Sequence, residues 1–417
     1  MYTSSRRDFL RAAVAGLAVP AWPAWLPRLA FAPPQVAPRG DVLVCVFLRG
    51  AADALSIVVP HGEGEYYALR PHLAIARPDD RRANAGARAR DLDGFFGLHP
   101  ALAPLLLAWE AGQLAIVHAC GAPDESRSHF QAMELMERGV AGATGPASGW
   151  IGRHLAALDN GNRSPLRAIG LGTTTPRALR GPIPATALRS ITDFHLAGDP
   201  QAAARMRAAL AALYVGDAPL AAQGRDTLDL LDTLERLDPR GHTPANGARY
   251  PASDFGLALR QVAILVKAQV GLEVACLDLG GWDTHINQGG AEGALASLLG
   301  DLGAGLAALY ADLRDETDDL LAVTLSEFGR RARENGGLGT DHGHGSAMLL
   351  LGGGVVGERV HGRWPGLARE QLVGPGDLAV TTDYRDILGE LLARRLHNTH
   401  LPAIFPDYTP TFLGVAR

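Results

Sequence analysis

Two short segments of this 417-residue sequence pair a carboxylate with imidazole at a spacing suited to metal chemistry. In Gly280-Gly281-Trp282-Asp283-Thr284-His285, residues two apart in a turning segment can converge on one centre, and the glycine pair lets the backbone turn sharply. Asp341-His342-Gly343-His344-Gly345 shares this logic, and its glycines exclude a helical i,i+4 metal pair. Oxygen and imidazole together suit zinc, manganese or iron; the plain alternative is a hydrogen-bonded pair in a solvated turn. Asp53 is either a metal ligand or an Asx residue that stabilises a turn. Ser128, in Arg127-Ser128-His129-Phe130, stands where a helix should begin. Its hydroxyl is an N-cap, or a nucleophile whose pKa a metal would lower. Helix N-terminal N–H groups and Arg127 would favour an anionic substrate there. His129 is open as ligand, base or packed ring. Arg49, Arg127 and Arg330 could each grip phosphate or sulfate through bidentate hydrogen bonds, or serve as surface and salt-bridge arginines.

These residues need strand ends to hold them. Val42 to Leu48 is a continuous apolar run, the pattern of a strand buried on both faces of a parallel sheet. Further strands are expected at 114–120, 167–171, 183–187, 274–279, 320–325 and 347–351. Helices are expected at 99–112, 129–138, 200–213, 225–236, 254–270, 291–314 and, capped by Asp383, 383–396. The alternation predicts an α/β fold with three layers and a doubly wound, mainly parallel sheet. The stretch 140–250 reads as a helical insertion or cap within one domain that runs from 41 to 417. In such sheets ligands bind beyond the carboxyl ends of the strands. Asp53, the 122–130 segment, Asp283 with His285, and Ser326-Glu327-Phe328-Gly329-Arg330 all follow predicted strands, and the 341–345 segment shortly precedes one.

Composition narrows the chemistry. At 47% hydrophobic and 20% charged, with 39 basic and 44 acidic residues, the chain is foldable and lacks the basic excess that phosphate-backbone binding requires. No nucleic-acid partner is therefore expected. Three separated cysteines, Cys45, Cys120 and Cys276, build neither a disulfide framework nor a thiolate zinc site, so any transition metal must be held by the 14 His and the carboxylates. Ser5-Arg6-Arg7-Asp8-Phe9-Leu10 before the apolar run Ala12 to Val19 resembles a twin-arginine export signal, here assigned to residues 1–32. A periplasmic or secreted location follows, with the export machinery as partner and no transmembrane segment in the mature chain. Gly352 to Gly357 matches G-x-G-x-x-G but no helix pattern follows it, and P-loop, H-E-x-x-H and G-x-S-x-G motifs are absent.

In order along the chain, Phe47 to Leu55, Arg127 to Phe130, Gly281 to His285, Ser326 to Arg330 and Asp341 to Gly345 resemble a family of exported bacterial proteins of unknown function, DUF1501. The resemblance covers nearly all of the chain from Asp41 and implies the alkaline-phosphatase and sulfatase-like superfamily. It implies Asp53 as a first metal ligand, Ser128 as nucleophile, Asp283 and His285 as a middle pair, and His344, with His342 as the alternative, as the last ligand. Glu327 takes the place of the Asp in an Asp-His pair, where Phe328 replaces the His and cannot bind metal. Asp341 or His129 is left to substitute. Cys120, followed by Gly121 and Ala122, lacks the C-x-P-x-R formylglycine signature of sulfatases.

Two readings follow. One is a hydrolase of small anionic phosphate or sulfate esters using one or two divalent ions, zinc first, with manganese or calcium as alternatives. The other is an exported binding or assembly protein that keeps the fold without turnover.

Overall fold

The apolar runs form strands covered on both faces. The computed structural model describes residues 41–417 apart from 159, 163, 173, 217, 218, 238 and 240, so the export signal assigned to 1–32 lies outside the described residues. The main sheet is built from β1 (Val42–Arg49), β2 (Leu114–Gly121), β3 (Ala168–Leu171), β4 (Thr186–Leu188), β5 (Val274–Gly280), β6 (Leu320–Leu325), β7 (Ser346–Leu351), β8 (Arg359–His361) and β9 (Thr382–Asp383). Their spatial order is β8-β2-β7-β6-β1-β5-β3-β4, with β9 also paired to β2. All pairings are parallel except those of β7, which runs against both β6 and β2.

Alternation along β1 feeds two cores. Val42, Val44, Val46 and Leu48 pack on one side, and Leu43, Cys45 and Phe47 on the other. The first layer is closed by α4 (Pro219–Leu237), α5 (Asp254–Lys267) and α6 (Ala294–Asp312), through residues such as Leu234, Leu259 and Leu302. The second is closed by α1 (His129–Arg138), α2 (Trp150–Ala157) and α7 (Tyr384–Arg394), through Met136, Trp150 and Leu391. Burying each large aliphatic side chain contributes roughly 1.5–3 kcal/mol. Helix α6 is long and apolar enough to cross a membrane, but Leu295, Leu299, Leu302, Leu306 and Leu309 are buried in the first core. Asp383 caps α7 as the sequence predicts, its carboxylate accepting from the Arg385 N–H. Within 140–250, β3 and β4 extend the sheet beyond β5, and the helices of that stretch are α2, α3 (Pro200–Leu213) and α4.

One expected helix differs. The stretch 99–112 opens as a 3₁₀ helix over Pro100–Leu105 and becomes α-helical only over Leu106–Glu110. Pro104 has no N–H to give to an i−4 carbonyl, so the tighter winding precedes it.

Because β1, β2, β5 and β6 are co-directional, Arg49, Gly121, Gly280 and Leu325 end at one edge of the sheet. Strand β7 starts at that same edge, Ser346 pairing with Cys120.

His118, in β2, shows how the core treats a buried imidazole. Its Nε2–H donates to the Val58 carbonyl at 3.0 Å and its Nδ1 accepts from the Ala119 N–H at 2.8 Å, which fixes a neutral tautomer. Burial pushes its pKa down to about 4. The unfolded chain therefore takes up a proton below the ordinary value of about 6.5 while the folded chain does not. The stability this histidine supplies is complete above that value and is lost as pH falls towards 4, by about 3 kcal/mol. Urea melts of wild type and His118→Gln across this window check it: the variant should show the flatter pH dependence, and parallel curves would refute the assignment.

Candidate metal centre

The turn after β1 is shaped to receive the loop after β5. Gly50 has φ +120°, and a Cβ there would lie 2.7 Å from the Asp283 nitrogen, so only glycine lets the two backbones touch. Trp282, fully buried, anchors that loop by donating its indole N–H to the Leu279 carbonyl at 2.8 Å. Asp283 is thereby held at the surface with its side chain 48% exposed. The loop after β6 is tied to the same turn: the Ser326 hydroxyl donates to the Leu48 carbonyl at 2.9 Å, and Glu327 Oε1 accepts from the Gly50 N–H at 2.9 Å.

Three imidazoles converge on one carboxylate oxygen. Asp283 Oδ1 lies 3.5 Å from His129 Nε2, 3.0 Å from His285 Nε2 and 3.1 Å from His342 Nε2. The Nε2 atoms of His285 and His342 are 2.9 Å apart. His129, Asp283 and His342 offer donor atoms all within 4.8 Å of one another, the one group of this kind among the described residues. His285 lies outside that group but contacts Asp283 and His342.

The outer faces of the rings fix their protons. His129 Nδ1–H donates to Glu327 Oε1 at 2.7 Å. His342 Nδ1–H donates to the Arg127 carbonyl at 3.0 Å. His285 Nδ1 lies 3.5 Å from Asp341 Oδ1, and its Nε2 accepts from Arg330 Nη1 at 3.3 Å. A neutral ring protonated on Nδ1 carries a lone pair on Nε2. Burial, the largest influence, lowers the pKa of His342 despite the hydrogen bond to Asp283, which keeps the ring neutral near pH 7. Burial would raise the Asp283 carboxyl, but the hydrogen bond from Arg330 and the contact with His342 outweigh it and bring the pKa to about 2. Three Nε2 atoms and one carboxylate oxygen therefore face one another, with Arg330 donating to Asp283 Oδ1 and His285 Nε2. His129 Nε2, buried and without a hydrogen-bond partner, states the mismatch most plainly. A cation among them resolves it. A tetrahedral zinc with bonds of about 2.0–2.1 Å spaces its donors about 3.3 Å apart, close to the 2.9–3.5 Å contacts around Asp283 Oδ1 and between His285 and His342.

Two neighbours complete the surroundings. Phe328, 3% exposed, stacks on His129 with ring centroids 5.0 Å apart and lies 5.1 Å from the His342 ring, forming an apolar wall behind both. Arg330, 1% exposed, donates to the carbonyls of Gly50, Ala51, Trp282 and Thr340, and to Asp283 Oδ1 at 2.6 Å. It stitches three loops together and leaves no arm free for substrate.

The remaining residues singled out by sequence sit elsewhere. Asp53 is 1% exposed, and its carboxylate accepts from Arg70 at 2.5 and 2.9 Å, from Ser56 at 2.7 Å and from Gln288 at 2.7 Å. Glu327 stands behind His129. His344 turns away from the cluster, Nε2–H donating to the Ala122 carbonyl at 2.9 Å. Arg49 is bracketed by Asp278 at 2.7 Å and Glu137 at 3.3 Å. Arg127 is 38% exposed and is paired through Nη2 with the buried Asp377. Ser128 is the N-cap residue of α1 by backbone conformation, yet its side chain makes no cap hydrogen bond, so the hydroxyl is not engaged there. Arg70 and Gln288 were not singled out: neither lies in a motif, and Asp53, which both contact, lies 17 and 235 residues away.

The family profile described as "Protein of unknown function (DUF1501)" matches residues 41–400. No curated protein matches the sequence. Among solved structures, that of Ps i-CgsB in complex with k-i-k-neocarrahexaose aligns with a TM-score of 0.31 and 11% identity, covering 85% of this chain and 71% of that one.

Proposed function

Because the chain belongs to the DUF1501 family, whose description carries no activity, we propose a function from the centre itself: an exported, metal-dependent hydrolase of phosphate or sulfate esters. The observation that carries the reading is the convergence of three imidazole Nε2 atoms on Asp283 Oδ1, with His129 Nε2 buried and without a hydrogen-bond partner. His129, Asp283, His285 and His342 would hold the ion, and Glu327, Asp341 and the Arg127 carbonyl would orient the rings. This nitrogen-rich set suits zinc; calcium prefers roughly six to eight oxygens and fits it poorly. When bound, such an ion polarises an ester oxygen and lowers the pKa of a hydroxyl. Ser128, next to His129 at the N-terminus of α1, supplies a hydroxyl whose side chain is not engaged in capping. Arg127, steadied by Asp377, offers a partly exposed guanidinium to the ester anion. The ordered motifs support the same reading through their resemblance to a family placed in the alkaline-phosphatase and sulfatase-like superfamily, and the resemblance of the N-terminus to a twin-arginine signal supports export.

A second reading is favoured by Arg330. Its guanidinium already touches Asp283 and His285, so the cluster could stand as a metal-free remnant in a binding or assembly protein. Metal analysis of protein purified from its native export route separates the two. The hydrolase reading expects about one transition-metal ion per chain; none, with no loss on Asp283→Ala plus His285→Ala, would sink it. Ser128→Ala should slow turnover of generic aryl phosphates and sulfates on the order of a hundredfold, with metal content unchanged. Turnover that survives the substitution removes Ser128 from the chemistry.

A further inference from the structure

We propose that Gln288 is the positioning residue of this centre, a buried amide that sets the distance between the two ligand-bearing loops. The inference rests on the metal reading above. Gln288 is fully buried. Its Nε2–H donates to Asp53 Oδ2 at 2.7 Å. Its Oε1 accepts from the Thr284 hydroxyl at 2.9 Å and from the Thr340 hydroxyl at 2.7 Å. The orientation of the amide is determined, because an ionised Asp53 only accepts and so must face the NH₂. Burial alone would raise the Asp53 carboxyl, but Arg70 outweighs it and keeps the group ionised.

The placement of the partners turns a packing detail into control of the site. Thr284 stands between Asp283 and His285. Thr340 is two residues before His342, and its carbonyl accepts from Arg330 at 2.9 Å. The main chain of the two loops is paired as well, Thr340 N–H to the Thr284 carbonyl at 3.2 Å and Gln288 N–H to the Leu338 carbonyl at 2.8 Å. Main-chain pairing sets the register of the loops; the amide fixes how deeply both sit against the end of β1. Asp53 is held from the opposite side by Arg70, which also donates to the carbonyls of Ala332 and Arg331 at 2.8 and 2.9 Å. The clamp thus has a rigid base, and the donor atoms it spaces are the 2.9–3.5 Å set around Asp283. Outer-shell groups of this kind act through ligand geometry without touching the ion.

Cobalt(II) titration of the full-length chain tests this, read by affinity and by the visible d–d bands, which weaken when a four-coordinate site opens. Gln288→Met keeps nearly the same length and removes both donor and acceptor. Thr340→Val is the gentler variant, and Thr340→Ser retains the hydroxyl. The expected result is a loss of cobalt affinity of about 10–100-fold in Gln288→Met, a smaller loss in Thr340→Val, weaker bands in both, and wild-type behaviour in Thr340→Ser. If Gln288→Met fails to fold, Thr340→Val against Thr340→Ser carries the comparison. Reduced thermal stability with wild-type affinity and spectrum would make Gln288 purely structural and overturn the clamp. A wild-type chain that binds no cobalt would instead overturn the metal reading beneath it.

Discussion

Asp283→Ala should eliminate the divalent-metal binding proposed for this centre. Asp283 Oδ1 is the atom on which His129, His285 and His342 converge, and its carboxylate is the one negative charge among those four donors. Removing it leaves three imidazoles beside the buried Arg330 guanidinium, which then repels an incoming cation without a counter-ion between them. The loss should exceed the 10–100-fold typical of outer-shell changes, reaching about a thousandfold. Competition against a chromophoric chelator measures it. Asp283→Asn is the informative companion: it preserves shape and can still accept from Arg330, yet lacks the charge, so it should lose most of the affinity with little loss of stability. Wild-type affinity in either variant would show that the ion sits elsewhere or that no ion is bound.

Asp53→Ala should unfold the protein more readily instead of stripping its metal directly. Asp53 and Arg70 form a fully buried ion pair, 1% and 0% exposed. Taking one partner from such a pair leaves an uncompensated charge, at a cost of about 3–5 kcal/mol. The Ser56 hydroxyl and the Gln288 amide lose their acceptor at the same time. Denaturant melts measure the change, and the double variant Asp53→Ala plus Arg70→Met should recover part of it, because the orphaned charge is gone. Since Arg70 holds the Asp53 carboxyl below its usual range, this contribution persists above the ordinary carboxylate pKa and fades as pH falls through the lowered one. The outcome also discriminates between two roles. A first-ligand aspartate would lose metal with little change in stability, whereas the ion pair seen here predicts a large stability loss, with any loss of affinity following from the released Gln288 amide.

The sheet was legible because its signals are local. The runs at 42–48, 114–120, 274–279 and 320–325 are continuous and apolar, which is what burial on both faces demands. Their polar sequels marked the correct edge, since co-directional strands must end together. Roles within that edge were less legible, because they depend on partners far along the chain. His129 becomes an outward-facing lone pair only through Glu327, 198 residues away. Asp53 is occupied by Arg70, which lies in no motif. The resemblance places His344 ahead of His342, whereas in the structure His342 Nε2 faces Asp283 and His344 Nε2 faces the Ala122 carbonyl, partners far along the chain. Phe328 read as a missing ligand; in the structure it is the wall on which two of the rings rest.

The reversed direction of β7 has a consequence for how such a site can change over time. Strands β6 and β7 are antiparallel neighbours, so the segment 326–345 leaves the sheet at Leu325 and returns at Ser346 on the same edge, with no crossover to the far side. That one excursion carries Glu327, Phe328, Arg330, Asp341 and His342. It is a cassette with adjacent ends. Its sequence and length can be exchanged without re-threading the sheet, and a new chemistry at this edge requires rewriting one loop while β1 and β5 stay as they are.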